Sequence, residues 1–257
     1  MNKQSPIISI ITVTFNAAAT IRPTLDSIAA QKGCKPGEDY EVIIMDGASK
    51  DDTVAIAESY GMQCCTIISE PDGGIYDAMN KGMNKASGKY YMFLNAGDAL
   101  HSSATLRTIL DAIAENDMPG IVYGQTNLVD SNREYIGPRH LTAPKNLKYE
   151  SFAEGMLVCH QAFIALSRIA PRYNLKYRFS ADYDWCLQCL QHSRKNVFID
   201  DVLIDYLKEG TTTANRYASL RERFRIMCHY FGTIPTIVRH FKFIPRFLSS
   251  GQMRSGK

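Results

Sequence analysis

Near its start the chain reads Ile7-Ile8-Ser9-Ile10-Ile11-Thr12-Val13, a nearly continuous run of β-branched and apolar residues. Such a run is typical of a strand buried on both faces of a sheet. Residues 20–30 follow with Ile21, Leu25 and Ile28 at helical spacing. The segment therefore predicts a buried strand followed by a helix that packs one face on it.

The same alternation continues along the next seventy residues. Strands are predicted over residues 41–45, 64–68 and 89–94, and helices over residues 49–61 and 75–86, the first of these opened by a capping box at Ser49-Lys50-Asp51-Asp52. Strands that alternate with helices predict an α/β fold with a mostly parallel central sheet flanked by helices. After about residue 120 the pattern is less regular. It predicts strand-like segments over residues 121–123, 157–165, 197–199 and 202–207, and a helix over residues 181–192.

Carboxylates follow three of the predicted strands, at Asp46, Glu70 and Asp98. In open sheets of this kind, ligands bind beyond the carboxyl ends of the strands. Each acid alone is an ordinary turn or cap residue. Together they predict a crevice that accepts hydrogen bonds from a nucleoside and holds a divalent cation against a diphosphate.

Two common nucleotide motifs are missing from this crevice. The turn after the first strand reads Thr14-Phe15-Asn16-Ala17-Ala18-Ala19, without the glycines of a dinucleotide fingerprint, and no P-loop lysine pattern occurs. The charge of a bound phosphate must therefore be met by a metal ion or by side chains.

The formal net charge of +3 is unevenly distributed along the 257 residues. From residue 215 onward there are nine Lys or Arg and one acid, Glu222, whereas residues 1–214 carry a small acidic excess. We predict a catalytic domain over residues 1–214 and a basic amphipathic helical extension over residues 215–257. Arginines on one face and phenylalanines on the other, over residues 216–248, favour contact with the surface of an anionic bilayer. A helix packed on the body of the protein is the alternative, and the acidic body argues against a nucleic-acid partner.

The seven cysteines indicate the compartment. Their odd number, the absence of paired spacing and the lack of a secretory signal predict reduced thiols in the cytoplasm. The pair Cys186 and Cys189 stands alone, and two small apolar residues on one helix face explain it better than a metal site.

Four ordered motifs resemble those of family 2 glycosyltransferases of GT-A fold, and most closely the colanic-acid and exopolysaccharide subgroup. They are Ile8 to Asn16, Asp46-Gly47-Ala48-Ser49-Lys50-Asp51-Asp52-Thr53, Ser69 to Gly82 (Ser-Glu-Pro-Asp-Gly-Gly-Ile-Tyr-Asp-Ala-Met-Asn-Lys-Gly), and Phe93-Leu94-Asn95-Ala96-Gly97-Asp98. The resemblance runs from about residue 7 to 215. It implies transfer of a sugar, with inversion, from a nucleotide-diphosphate donor to a glycan acceptor, commonly lipid-linked, in bacterial surface or exopolysaccharide synthesis.

The resemblance also implies roles for individual residues. Those expected to contact the donor nucleotide are Thr14, Phe15, Asn16, Asp46, Asp77, Asn80 and Asn95. His160 and Gln161 are expected to contact the acceptor or the diphosphate. Asp182 matches the catalytic base, although Ser180-Ala181-Asp182 also has the composition of an ordinary helix N-terminus and Asp184 lies close by.

The metal motif departs from the family pattern. Where many members have Asp-x-Asp-Asp, this chain has Asn95-Ala96-Gly97-Asp98. We expect Mg²⁺ or Mn²⁺ to be held by Asp98, Asn95 and the donor diphosphate, because Mg²⁺ commonly uses only one or two protein carboxylates. Many relatives also have an arginine where this chain has Met79, so that positive charge must come from elsewhere; Lys81 and Arg139 are weaker candidates.

Two other functions are compatible with these residues. The depleted metal motif is also what a GT-A domain would show if it bound nucleotide or glycan without catalysing transfer. A nucleotide hydrolase would instead release free sugar. Donor base, donor sugar, acceptor and linkage depend on loops for which the pattern gives no indication.

Overall fold

The computed structural model describes residues 5–208 and 216–240. The first half of the chain forms alternating strands and helices, as predicted: β1 Ile8–Thr14, α1 Ile21–Ala29, β2 Tyr40–Asp46, α2 Thr53–Ser59, β3 Cys65–Ser69, α3 Ile75–Lys85 and β4 Tyr90–Phe93. Strand β1 is buried along its whole length, which explains its unbroken apolar sequence.

The second half contains shorter elements. These are β5 Ala99–Leu100, α4 Thr105–Glu115, β6 Ile121–Val129, β7 Tyr135–Pro138, β8 Phe163–Leu166, α5 Ala181–His192, β9 Asn196–Leu207 and α6 Arg216–Phe231, with 3₁₀ turns at Tyr149–Glu154, His160–Ala162 and Ser167–Ile169. Residues 233–240 are also helical. The two strand-like segments predicted at 197–199 and 202–207 are one strand, and most of the segment predicted over 157–165 is loop and 3₁₀ turn.

The described strands form one sheet with the order β3-β2-β1-β4-β8-β6-β9-β5, and β7 pairs with β6. Strands β3, β2, β1 and β4 are parallel. Strand β8 is antiparallel to both β4 and β6, whereas β6 and β9 are parallel. The parallel half therefore brings the carboxyl ends of β1, β2 and β4 to one edge, and the mixed half supplies the opposite wall of the crevice.

Hydrophobic cores cover both faces of the sheet. One contains Ile11, Phe93 and Trp185, and the other contains Ile10, Leu25 and Leu106. Helix α3 lies very close to the sheet because residue 82 is glycine. A Cβ at Gly82 would stand 2.5 Å from Cγ2 of Ile11.

Helix α6 is packed on the body of the protein. Ile226 and Met227 are buried in the same core as Trp185. The carboxylate of Glu222 accepts hydrogen bonds from three consecutive backbone N–H groups, those of Arg178, Phe179 and Ser180, at 2.9, 2.7 and 3.1 Å. The described part of the predicted basic extension is thus joined to the start of α5; residues 241–248, the rest of the predicted membrane-contact segment, lie outside the described residues.

Candidate active site

A cavity of about 610 Å³ opens where the carboxyl ends of β1 and β4 face α5. We call it the strand-end cavity. Eight of the residues predicted from sequence line it: Thr14, Phe15, Asn16, Asn95, Asp98, His160, Gln161 and Asp182. Residues separated by more than 160 positions in the chain therefore meet around one space that is large enough for a substrate.

The turn from Asn95 to Asp98 forms the floor of the cavity. It requires glycine at position 97, where φ is +102° and a Cβ would lie 2.9 Å from Cδ2 of Leu207. The hydroxyl of Thr24 accepts a hydrogen bond from the N–H of Gly97, and Arg133 donates to the Gly97 carbonyl at 2.6 Å. Contacts from two other segments thus fix the direction of the Asp98 side chain.

Asp98 is almost completely buried. The backbone N–H of Leu207 donates to its Oδ1 at 3.0 Å, and Nε2 of Gln161 donates to its Oδ2 at 2.8 Å. Burial raises the pKa of Asp98 to about 7, although these two hydrogen bonds and the positive charge of Arg133 act in the opposite direction. Desolvation therefore makes this carboxylate receptive to a cation.

The residues at the floor fit a divalent cation that also uses donor phosphates. Oδ1 of Asn95 is buried without a hydrogen-bond partner, which is costly for an amide oxygen unless a ligand or ion meets it. The carboxylate of Asp98, three residues later in the chain, lines the same cavity and can supply further oxygen ligands. In residues 5–208 and 216–240, no group of three or more His, Cys, Asp or Glu side chains could hold a metal. The ion would accordingly depend on phosphate oxygens for the rest of its coordination.

Asp46 lies outside the strand-end cavity, and its carboxylate is fully engaged. Thr14 donates to it at 3.0 Å, Ser69 at 2.6 Å, and Ser49 through both its backbone N–H and its hydroxyl. Burial opposes ionisation, but the hydrogen bonds from these serines and from Thr14 outweigh it and lower the pKa of Asp46. In this structure the carboxylate joins the ends of β1, β2 and β3 rather than projecting into the cavity.

The predicted capping box at Ser49 is wrong. Helix α2 begins at Thr53 without a side-chain cap. The hydroxyl of Ser49 instead donates to Asp46 and accepts a hydrogen bond from the backbone N–H of Asn16 at 2.7 Å. The serine is needed at the strand end, where it positions the turn that carries Phe15 and Asn16.

Asp182 projects from the first turn of α5 into the cavity, and Asp184 does not. The hydroxyl of Tyr76 donates to Oδ1 of Asp182 at 3.1 Å, and this carboxylate is only half-buried. Asp184 is buried on the other side of the helix, where it accepts hydrogen bonds from Tyr230 and Gln188, both at 2.8 Å. Of the two acids, Asp182 alone is placed to meet a molecule in the cavity.

His160 is buried in an aromatic cluster at the back of the cavity. Its ring stacks on Phe93 at a centroid distance of 5.0 Å, and Nε2 is hydrogen-bonded to the hydroxyl of Tyr173. Desolvation lowers the pKa of His160 to about 4, against the attraction of Asp182 for its charged form. The imidazole is therefore neutral near pH 7.

Asn80 and Asp77 lie away from the strand-end cavity. The side chain of Asn80 makes paired hydrogen bonds to the backbone N–H and carbonyl of Tyr173, at 2.8 and 3.0 Å, and so ties α3 to the loop before α5. Asp77 accepts a hydrogen bond from the N–H of Gly73 at 2.9 Å and lines a neighbouring cavity of about 880 Å³. Their predicted contacts with the nucleotide stay predictions.

Tyr76 and Arg223 line the cavity, although neither is among the predicted site residues. Tyr76 directly precedes Asp77, a predicted site residue of the same motif. The sequence does indicate the direction of Arg223, because residues three and four positions apart share a helix face and Arg223 precedes the apolar Ile226 and Met227 by these spacings, both of which are buried. It belongs to the inward face of α6, whereas Arg221 and Arg225 are exposed.

Comparison with known proteins identifies the class to which this fold and site belong. Residues 9–170 match the model of glycosyl transferase family 2. A PGL/p-HBAD biosynthesis glycosyltransferase of Mycobacterium tuberculosis is 33% identical over 195 residues, which cover 73% of this chain and 71% of the relative. The chain therefore belongs to glycosyl transferase family 2, and it is a glycosyltransferase.

Solved structures confirm the GT-A fold. The Staphylococcus aureus protein TarS (residues 1–349, in complex with UDP-GlcNAc) superposes with a TM-score of 0.71 at 17% identity, over 92% of this chain and 73% of that one. The mannosyltransferase PcManGT from Pyrobaculum calidifontis, in complex with GDP-Man and Mn²⁺, gives a TM-score of 0.61 at 16% identity, over 97% of this chain and 80% of that one. At such identities the likeness establishes the fold alone.

Proposed function

We propose that this glycosyltransferase moves a sugar, with inversion, from a nucleoside-diphosphate donor to a glycan acceptor, and that Asp182 is its catalytic base. One observation carries the proposal. Asp182 on helix α5 and the turn from Asn95 to Asp98, which follows β4, line the same cavity although they are far apart in the chain. A displacement at an anomeric carbon needs a base on one wall and, on the other, a floor that could hold a cation against the leaving diphosphate.

The donor would lie along the parallel half of the sheet. Thr14, Phe15 and Asn16 form the rim, and Phe15 exposes 64% of its surface, which leaves its ring free to contact a base or ribose. The diphosphate would then reach Asn95 and Asp98. TarS and PcManGT were solved with UDP-GlcNAc and GDP-Man respectively, which supports a nucleotide-sugar donor here.

Asp98 and Asn95 would hold Mg²⁺ or Mn²⁺ together with the donor phosphates. Such an ion supplies positive charge that offsets the charge of the leaving nucleotide. The Mn²⁺ bound with GDP-Man in PcManGT supports this assignment. Gln161 holds one oxygen of Asp98 in place from the opposite wall.

Asp182 would take the proton from the acceptor hydroxyl as that oxygen attacks the anomeric carbon. The new carbon–oxygen bond forms on the face opposite the leaving group, while the bond from the anomeric carbon to the phosphate oxygen breaks. The configuration at the anomeric carbon is thereby inverted. The Tyr76 hydroxyl occupies Oδ1 of Asp182, which leaves Oδ2 to receive the proton.

The test has two stages and a matched control. Thermal unfolding is first followed with a panel of nucleotide-sugars, with and without Mn²⁺, because a bound donor raises the unfolding temperature. With the stabilising donor, Asp182→Asn should keep donor binding and lose transfer, whereas Asp184→Asn should retain transfer. The anomeric configuration of the wild-type product is read by NMR. Undiminished transfer by Asp182→Asn would refute the assignment of the base, and a retained configuration would refute inversion.

A catalytically inactive GT-A module is the second candidate. It is favoured by the floor of the cavity, where Asp98 is the sole carboxylate of the Asn95–Asp98 turn. The same experiment separates the two functions, because the module would be stabilised by a donor and yet show no turnover with any acceptor tested.

The acceptor is proposed to be lipid-linked, with the protein held on the cytoplasmic face of the inner membrane. Helix α6 and residues 233–240 expose Tyr217, Ile234 and Val238, and α6 also exposes Arg225. Apolar side chains beside cations suit an anionic lipid surface. Among the described residues, no helix has both the length and the apolar composition needed to cross a bilayer. The relative named for PGL/p-HBAD biosynthesis supports a role in making a surface glycoconjugate.

A further inference from the structure

Arg223 is held in the strand-end cavity with part of its hydrogen-bonding capacity unused. Its guanidinium carbon lies 5.7 Å from the centre of the Tyr183 ring. Its Nε is buried and has no hydrogen-bond partner. Four buried side-chain atoms in the described part of the chain lack a partner, and two of them, Nε of Arg223 and Oδ1 of Asn95, belong to residues that line this cavity. One is a cationic donor and the other a neutral acceptor.

The other basic residues close to the site are already engaged. Arg139 also lines the cavity, but its Nη1 donates to the carbonyls of Leu141 and Met156, at 3.1 and 2.8 Å, and is anchored by these contacts. Lys81 lies 2.9 Å from the carboxylate of Glu70 and donates to the carbonyl of Pro71 at 2.7 Å. Arg223 is therefore the side chain best able to offer a charged donor to a ligand without first breaking such contacts.

The position of Arg223 is fixed by its neighbours on α6. The preceding residue, Glu222, accepts the three N–H groups of Arg178, Phe179 and Ser180 just before α5. The hydroxyl of Ser180 lies 3.2 Å from both the carbonyl and the hydroxyl of Ser219. These contacts join α6 to the helix that carries Asp182, so they fix the arginine relative to the proposed base.

We propose that Arg223 binds the diphosphate of the nucleotide donor and offsets its charge during transfer; this rests on the proposed function. When the bond between the anomeric carbon and the phosphate oxygen breaks, its electron pair goes to that oxygen and the diphosphate becomes more negative. A planar guanidinium with several N–H groups suits phosphate oxygens in both number and geometry. The C-terminal helix, absent from the part of the chain that matches the family model, thus completes the donor site.

The test compares ligands with and without the diphosphate. The full chain is titrated calorimetrically, in the presence of Mn²⁺, with UDP and GDP and with uridine and guanosine. Arg223→Gln should weaken binding of the preferred nucleoside diphosphate by ~10-fold or more and leave the affinity for the nucleoside unchanged. Arg223→Lys should lose less of this affinity, because lysine keeps the positive charge but lacks the paired N–H groups of the guanidinium. Arg221→Gln, on the exposed side of the same helix, is the matched control and should bind like the wild type.

Three outcomes would overturn the proposal, and they are distinguishable. If wild-type protein binds no nucleoside diphosphate, the proposed function fails and this inference fails with it. If the wild type binds and Arg223→Gln binds equally well, only the role of Arg223 is refuted. If Arg223→Gln loses affinity for nucleoside and nucleoside diphosphate alike, the arginine merely supports the fold; Arg223→Lys and the unfolding temperature of each variant show whether the helix is intact.

Discussion

The hydroxyl of Tyr76 donates a hydrogen bond of 3.1 Å to Oδ1 of Asp182, across 106 positions of the sequence. Tyr76 belongs to the first turn of α3, and Asp182 to the first turn of α5. This bond fixes which oxygen of the carboxylate faces the cavity. It also joins the half of the protein that is proposed to bind the donor to the half that carries the proposed base.

Tyr76→Phe tests this relationship. The ring would keep its stack on Tyr173, whose centroid is 5.6 Å away, so the fold should be preserved. Loss of one hydrogen bond to a charged group should lower kcat by ~10-fold, with a smaller change in the KM for the donor. Steady-state kinetics with donor and acceptor varied separately measure both. An unchanged kcat would show that the orientation of Asp182 does not depend on Tyr76.

Glu222 should contribute to stability by joining α6 to α5. Glu222→Ala would leave three backbone N–H groups at positions 178–180 without their carboxylate. Because water can reach part of this site, we expect a loss of about 1–3 kcal/mol in the free energy of unfolding. Urea unfolding of Glu222→Ala, Glu222→Gln and the exposed Arg221→Gln gives the comparison. Glu222→Gln should lose less unfolding free energy than Glu222→Ala, and Arg221→Gln should not change it. Equal stability of all three variants would show that Glu222 does not stabilise the junction of α6 and α5.

Asp98 and His160 should have opposite effects on stability as the pH falls. Asp98 has a pKa of about 7 in the folded protein, above its ordinary value of 3.8, so it binds a proton preferentially when folded and stabilises the fold as the pH falls from about 7 towards 4. His160 has a pKa of about 4, below its ordinary value of 6.5, so protonation favours the unfolded chain and stability falls between about pH 6.5 and 4. In the wild type the two effects partly cancel.

Single variants should separate these two effects. Relative to the wild type, Asp98→Asn should lose more stability between pH 7 and pH 5, because the His160 effect is then unopposed. Over the same pH interval, His160→Gln should lose less stability than the wild type, or should become more stable. Urea midpoints at the two pH values, in metal-free buffer, provide the measurement. A wild-type pH dependence in both variants would show that neither group titrates as its burial requires.

Local patterns in the sequence were sufficient to predict the parallel half of the fold. The buried strand from Ile8 to Thr14 and the helix from Ile75 to Lys85 follow directly from apolar periodicity, and the position of the ligand edge follows from parallel pairing. Helix α4 was not identified, although Leu106, Ile109, Leu110 and Ile113 occur at helical spacing and are all buried. The apolar spacing that predicts α1 and α3 is therefore also present in α4.

Other features depend on contacts between distant segments and have no local signature. The engagement of the Asp46 carboxylate requires Thr14 and Ser69 to converge from two neighbouring strands. The spacing of Arg223 relative to Ile226 and Met227 indicates that it faces inward, but the cavity that it reaches depends on how α6 docks on α5. The sequence therefore supported the choice of Asp182 over Asp184 only through the family resemblance, whereas the structure separates them by the direction in which each side chain projects.

Membrane contact through the C-terminal segment is tested with the exposed apolar residues that the structure describes. Ile234 exposes 77% of its surface and Val238 53%, and both follow α6 on residues 233–240. Ile234→Ser combined with Val238→Ser should reduce sedimentation with vesicles of anionic phospholipid by ~10-fold or more, since insertion of each side chain contributes about 1.5–3 kcal/mol when burial is complete. The nucleotide site should be unaffected because these residues lie outside the strand-end cavity.

The control for this experiment is an equally exposed apolar site elsewhere on the protein. Tyr135 exposes 62% of its surface on β7, so Tyr135→Ser removes a comparable apolar surface without altering the C-terminal segment. Binding of the wild type should fall as salt increases, because screening weakens the attraction between arginines and anionic lipid. If Tyr135→Ser and the double variant lose equal amounts of vesicle binding, the attachment is not specific to residues 233–240. If the wild type binds neutral and anionic vesicles alike, the basic residues of the segment play no part in it.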